Sequence, residues 1–208
     1  MEAPALDCAL CPRLVEFRDE NATKFPDWHN APVASFGNTD AKLLIVGLAP
    51  GLRGANRTGR PFTGDWAGQL LYPTLLRFGL ATGSYTEHYD DGLRLVNTRI
   101  TNAVRCVPPQ NKPTGDEAKA CRSFLVSEID AMAKLQGILA LGLLAHNAVL
   151  TTLEKRRAAF KFSHGAVHIL SNSLWLADSY HCSRYNTNTR RLTTEMFEDV
   201  VSAAARRV

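Results

Sequence analysis

The feature that most constrains this chain is Lys42–Gly68, KLLIVGLAPGLRGANRTGRPFTGDWAG. Leu43-Leu44-Ile45-Val46 is short, apolar and partly β-branched, the pattern of a strand buried on both faces. Gly47 ends the run, and Gly51, Gly54, Gly59 and Gly64 punctuate the loop that follows. A strand emptying into a glycine-rich loop sets backbone N–H groups at the carboxyl edge of a sheet, where open α/β folds bind ligands. The loop has neither G-x-G-x-x-G nor G-K-[ST], which excludes the common dinucleotide and P-loop cradles. It carries two chemically pointed residues instead. Phe62 offers a flat apolar face, and Asp65 offers a carboxylate able to orient or deprotonate water.

Further apolar runs alternate with helical patterns along the chain. Ala67–Leu80 has helical spacing with Pro73 inside it, and Leu93–Val107 reads as a strand pair or as a strand entering a loop. Pro108, Pro109 and Pro113 exclude regular structure up to Gly115. Thr114 and Asp116 can cap a helix over roughly 116–135, and Gly137–Leu144 is a second strand. A short helix over 145–157, a third apolar run at Leu174–Ala177 and a helix from Thr193 to about Arg206 complete the pattern. Strands alternating with helices imply a parallel sheet between helical layers. At 208 residues one core is expected, so residues 1–208 are read as a single domain.

An apolar fraction of 45%, no stretch of membrane-spanning length and no signal-type N-terminus predict a cytoplasmic protein. The formal charge of +4 is compatible with a polyanionic partner without identifying one. Of five cysteines, Cys8 and Cys11 form a C-x-x-C near the start. An odd count without a secretion signal argues against a disulfide framework, and no strand precedes the pair as a thioredoxin-type motif requires. Two such thiolates can bite one metal ion or cluster, with Cys106 and Cys121 the natural completing ligands.

If the 47–65 and 181–191 loops both follow strands of one parallel sheet, they project from the same edge. Phe62, Asp65, Asn102 and His181 then converge on one small molecule. Phe62 suits a planar heterocycle, Asn102 can donate to and accept from a base edge, and neutral His181 can donate to a carbonyl oxygen. Arg53, Arg57, Arg60, Arg184, Arg190 and Arg191 supply enough cation to hold phosphates. Taken singly these residues have ordinary structural readings, as core, cap or turn. The combination carries the argument.

These residues resemble the uracil-DNA glycosylase superfamily, and within it family 5, over most of the chain. The first motif resembles Gly47-Leu48-Ala49-Pro50-Gly51 continued through Gly54–Arg60 and Phe62–Asp65. The second resembles His181-x-Ser183 followed by Asn186, Thr189, Arg191, Leu192 and Thr193. Asn102-Ala-Val-Arg-Cys106-x-Pro-Pro and Gly165 also fit. The resemblance implies a three-layer α/β/α sandwich on a short central parallel sheet. It implies a monomeric, monofunctional glycosylase that flips uracil out of double- or single-stranded DNA and hydrolyses its N-glycosidic bond, with hypoxanthine or modified uracils as further substrates. By the same resemblance Asp65, Asn102 and His181 are catalytic. Gly47, Leu48, Phe62, Asn102 and His181 bind the base, and Arg57, Arg60, Ser183, Arg184, Asn186 and Arg191 bind DNA. Cys8, Cys11, Cys106 and Cys121 ligate a [4Fe–4S] cluster. Leu48 stands where family 4 carries an acidic residue. Two departures fall in the second motif: Cys182 replaces the usual proline and is expected to loosen the loop and add a free thiol, and Thr189-Arg190-Arg191 replaces Thr-Gly-Arg. The competing readings are an iron–sulfur protein that recognises DNA damage without excising it, and a zinc-stabilised hydrolase of small nucleosides.

Overall fold

The computed structural model describes residues 1–208. In chain order its elements are α1 (Pro12–Lys24), β1 (Leu43–Gly47), α2 (Ala55–Thr58), α3 (Trp66–Arg77), β2 (Ala81–Thr82), β3 (Arg94–Leu95), β4 (Thr98–Asn102), α4 (Gly115–Ala131), β5 (Gly137–Leu141), α5 (Leu143–Thr152), β6 (Val167–Ile169), β7 (Trp175–Ser179), α6 (Arg184–Asn188) and α7 (Thr194–Ala205). Five strands form one sheet in the order β4-β1-β5-β7-β6, while β2 and β3 make a separate small hairpin. No helix is long and apolar enough to cross a membrane.

The three apolar runs are the three middle strands, and every residue of β1, β5 and β7 is buried. The period of two along β1 sorts its side chains to opposite faces. Leu43 and Ile45 join the larger core, with Leu71, Leu75, Phe197 and Val201 from α3 and α7. Leu44 and Val46 join the other, with Leu125 of α4 and Ala145 and Val149 of α5. Each fully buried Leu or Ile contributes about 1.5–3 kcal/mol of transfer free energy, so these two cores set the three-layer α/β/α arrangement.

β1 pairs in parallel with β4 and β5, and β5 in parallel with β7, but β6 runs antiparallel to β7. The central strands thus form the short parallel sheet expected from sequence, and β6 adds an antiparallel edge strand beyond that expectation. Only residues 170–174 separate β6 from β7, which suffices for a hairpin, whereas a parallel pair needs a crossover of about a dozen residues. The apolar–polar run VHI also lacks the hydrophobic signature of a central strand.

Local chemistry fixes the remaining boundaries. Thr114 caps α4 in a reciprocal box: its hydroxyl accepts from the Glu117 N–H at 3.2 Å, and Glu117 accepts from the Thr114 N–H at 2.7 Å. The same Glu117 takes Arg13 of α1 at 2.7 Å, tying the first helix to the fourth. Helix α3 runs through Pro73, and the buried Tyr72 beside it donates its hydroxyl to the Pro61 carbonyl at 2.5 Å. The chain passes from β1 to β4 on one side of β1 and then crosses to β5 on the other. The loops leaving these strands therefore diverge at one edge and leave a crevice.

Candidate active site

The crevice is an open cleft of about 770 Å³ lined by residues from the loops after β1, β4 and β7, among them Leu48, Phe62, Asp65, Asn102, His181 and Ser183. All four residues expected to converge do so. Asn102 is the last residue of β4 and pairs in register with Gly47, the last of β1. The buried Phe62 ring lies 6.0 Å from the His181 ring, centroid to centroid.

The glycines explain how such side chains come so close. A Cβ built on Gly47 would lie 2.3 Å from Asn102 Oδ1 and 2.6 Å from Phe62 Cζ, and one on Gly54 would lie 2.2 Å from Asp65 Oδ2. These contacts are impossible for any larger residue. Phe62 itself sits at φ 53°, a left-handed conformation that costs a non-glycine residue of order 1 kcal/mol or more and clusters at functional sites. Its carbonyl accepts from Tyr85 Oη at 3.3 Å, and only a glycine at position 68 leaves room for that carbonyl.

Asp65 is the N-cap of α3, its carboxylate accepting from the Gly68 N–H at 3.2 Å. Burial raises its pKa above the ordinary aspartate value, against the lowering effect of the Gly68 and Ala67 N–H groups. Burial also lowers His181 to about 4, so its imidazole is neutral at physiological pH. The cleft thus pairs a carboxylate able to hold water with an uncharged imidazole able to donate to an oxygen.

Residues 184–188, read as loop, form the short helix α6. Ser183 caps it by accepting from the Asn186 N–H at 3.4 Å, and Asn186 Nδ2 donates to the His181 carbonyl at 2.9 Å. Ser183 and Asn186 therefore brace the turn that presents His181. Arg184 lies over the Trp66 ring at 5.7 Å, and the indole N–H donates to Thr187 Oγ1 at 2.7 Å, joining α6 to α3 beside Asp65. Tyr185, absent from the sequence reading, is 72% exposed on the cleft rim. Its signal was its place four residues after the motif histidine. Arg191 lies 4.7 Å over the Tyr180 ring, and Arg57 is exposed, its Nε donating to the Arg53 carbonyl at 2.9 Å.

Arg60 is different. It is 5% exposed and makes a forked pair with Asp91, both bonds 2.8 Å, while its Nε donates to Thr63 Oγ1 at 2.7 Å. Its guanidinium is spent on the fold, where a broken buried pair typically costs about 3–5 kcal/mol. Cys182 is also unlike its expectation. It is fully buried in the core with Leu192 and Phe197, so it packs the loop and presents no thiol to solvent.

A second cavity, sharing no lining residue with the cleft, brings together Cys8, Cys11, Cys106 and Cys121 among Leu14, Val15, Val104 and Phe124. None is in a disulfide. Burial, then the neighbouring Cys121, pushes the Cys106 thiol up to about 12. Arg105 donates its backbone N–H to Cys121 Sγ at 3.4 Å, while its guanidinium is taken up by Ser35 and Glu128. Four thiols around one apolar cavity, with a backbone N–H already aimed at one of the sulfurs, suit an anionic sulfur-rich group.

A family model for the uracil DNA glycosylase superfamily matches residues 34–205, which include both cleft motifs and the whole sheet. The chain belongs to the uracil-DNA glycosylase superfamily. Among its relatives, a type-5 uracil-DNA glycosylase of Thermus thermophilus is 44% identical over 96% of this chain and 93% of its own length. A second type-5 enzyme, from Pyrobaculum aerophilum, is 41% identical over 96% of this chain and 88% of its own. A type-4 uracil-DNA glycosylase of the same organism is 34% identical over 66% of this chain. The superfamily model begins at residue 34, so Cys8, Cys11 and α1 lie outside it. The match to the Thermus relative, at 96% of this chain, reaches beyond those bounds.

Proposed function

We propose that residues 1–208 act as one glycosylase domain, a monomer in solution, that removes uracil from DNA by hydrolysis and leaves an abasic site. The observation that carries this reading is the joint presence in one cleft of Asp65, Asn102, Phe62 and the neutral His181. A base inside a duplex is out of reach, so the nucleotide must first be extruded, at a cost of a few kcal/mol. Phe62 stacks on the extruded base, and Asn102 bonds its edge. Leu48 closes one side of the pocket, and Gly47 leaves the space in which Phe62 and Asn102 meet. As the glycosidic bond lengthens, positive charge grows on the sugar and negative charge on the base. His181 donates a hydrogen bond to the base oxygen where that charge collects. Asp65 orients water towards the sugar carbon and, as an anion, favours the cationic sugar.

Arg57, Arg184 and Arg191 hold backbone phosphates, and Tyr185 on α6 fills the space vacated by the base. Ser183 and Asn186 serve DNA binding by setting this turn. The roomy cleft favours hypoxanthine and modified uracils as further substrates. The reaction leaves the strand intact, because no lysine lines the cleft for imine chemistry. The decisive experiment uses a labelled duplex with U opposite G. Breaks that form only after alkali treatment are expected. Tight binding without such breaks would favour the damage-recognition alternative and overturn the proposal.

Cys8, Cys11, Cys106 and Cys121 would hold a [4Fe–4S] cluster, which supplies a structural cross-link between the N-terminal segment, the β4 exit and α4. Protein purified without oxygen is expected to be brown and to contain about four irons per chain. Cys106→Ser should lose iron and melt earlier, whereas a colourless zinc-loaded wild type would sink the cluster assignment.

A further inference from the structure

Outside both cavities, the underside of the β6–β7 edge carries a group of side chains that the glycosylase reading leaves unused. His146 of α5, His168 of β6 and Asp178 of β7 present ligand atoms all within 4.8 Å of one another. His146 is 1% and Asp178 0% exposed at the side chain, while His168 at 15% opens a route to solvent. His146 Nδ1 faces Asp178 Oδ1 at 2.7 Å, and His168 Nε2 faces Asp178 Oδ2 at 3.0 Å. The only other hydrogen bond to this carboxylate comes from the Ser163 backbone N–H at 3.4 Å.

The second nitrogen of His146 makes the arrangement informative. His146 Nε2 lies 2.9 Å from the Phe160 carbonyl oxygen, which can only accept. A neutral imidazole carries one N–H, and the carbonyl takes it at Nε2. Nδ1 is then a bare lone pair pointing at a carboxylate oxygen 2.7 Å away, acceptor against acceptor in a buried site. The contact is attractive only if a positive centre lies between them, either an additional proton or a metal ion. An imidazole whose far N–H is fixed on a backbone carbonyl has the outer support typical of metal-bound histidine. Two imidazoles and a carboxylate are a donor set for zinc and similar borderline divalent ions.

The geometry points to a divalent metal site formed by His146 Nδ1, His168 Nε2 and the Asp178 carboxylate, with water from the His168 side as a further ligand. Metal bonds of about 2.0–2.2 Å at tetrahedral angles put neighbouring donors about 3.4 Å apart, so the group opens by about half an ångström on loading. The ion cross-links α5, β6 and β7. Asp178 lies three residues before His181, and Ser163 carries this anchor to the loop that positions His164 against Tyr180 at 5.0 Å. The ion therefore stiffens the strand end that delivers His181, and it takes no part in bond cleavage.

The test is equilibrium dialysis of the iron-loaded chain against micromolar zinc chloride, with zinc and iron counted by mass spectrometry. Wild type and His164→Ala are expected to retain about one zinc per chain, and His168→Ala at least tenfold less at the same iron content. His168 is at a partly exposed sheet edge, so its variant should fold, and unchanged iron content checks this. Zinc should also raise the melting temperature of wild type but not of His168→Ala. Equal zinc retention by wild type and His168→Ala overturns the site. At zero it means that a proton fills the gap, and at one it means that zinc binds elsewhere.

Discussion

Asp65→Asn should lower the single-turnover rate of uracil excision by about 10²–10⁴-fold and at the same time raise the melting temperature. The two effects have one cause. Burial raises the Asp65 pKa in the folded state, so the carboxylate needed for chemistry is costly to hold there. A group with a raised folded pKa contributes stability below its unfolded value and loses it as pH rises through the folded value. At neutral pH Asp65 is therefore a net burden on the fold, and an uncharged amide removes it. Asparagine caps a helix as well as aspartate does, so the bond from the Gly68 N–H survives. The wild-type rate should fall on acidification with a midpoint above the ordinary aspartate value of about 3.9, a limb that Asp65→Asn lacks. A variant that is fully active, or inactive but less stable, would remove Asp65 from the role of poised base.

His181→Ala should cost about 10²–10³-fold in the same single-turnover rate, with His181→Gln retaining part of it as a neutral donor. Because burial holds His181 at about 4, the wild-type profile should show no limb near 6.5, the usual histidine value. The sign for stability is opposite to that of Asp65. A depressed folded pKa contributes stability above the unfolded value of about 6.5, and that contribution is lost as pH falls towards 4. Wild type should thus lose melting temperature between pH 6.5 and 4 more steeply than His181→Ala. An activity limb near 6.5 that disappears in His181→Gln would mean that a charged imidazole acts instead.

The sheet's centre was legible because β1, β5 and β7 are buried on both faces and their sequences are correspondingly apolar. β6 was not, since its apolar Val167 and Ile169 face outward while polar His168 is the more buried residue, and its direction depends on the length of the turn after it. The four cleft residues could be grouped because loops leaving parallel strands share an edge. Arg60 could not be sorted from the exposed arginines, because its partner Asp91 lies 31 residues away. Cys182 was misjudged for a similar reason: the side chains of Leu192 and Phe197 that enclose it belong to the following turn and to α7. Phe62's left-handed backbone has no signature in residue type at all. The convergence of His146, His168 and Asp178 depends on three elements and a carbonyl from a fourth segment, none of which spacing reveals.

The glycine contacts around Asp65, Phe62 and Asn102 bear on how this enzyme can change over evolutionary time. Each missing Cβ at 47, 54 and 68 is filled by part of a neighbouring residue, so the inner wall has no neutral single steps. Altered base preference is therefore expected to arise through residues such as Leu48, Asn111, Trp66 and Tyr185, which line the cleft without being interlocked with a glycine. In a saturation library, tolerated variants should gather on that outer rim, and changes of chemistry should require paired substitutions.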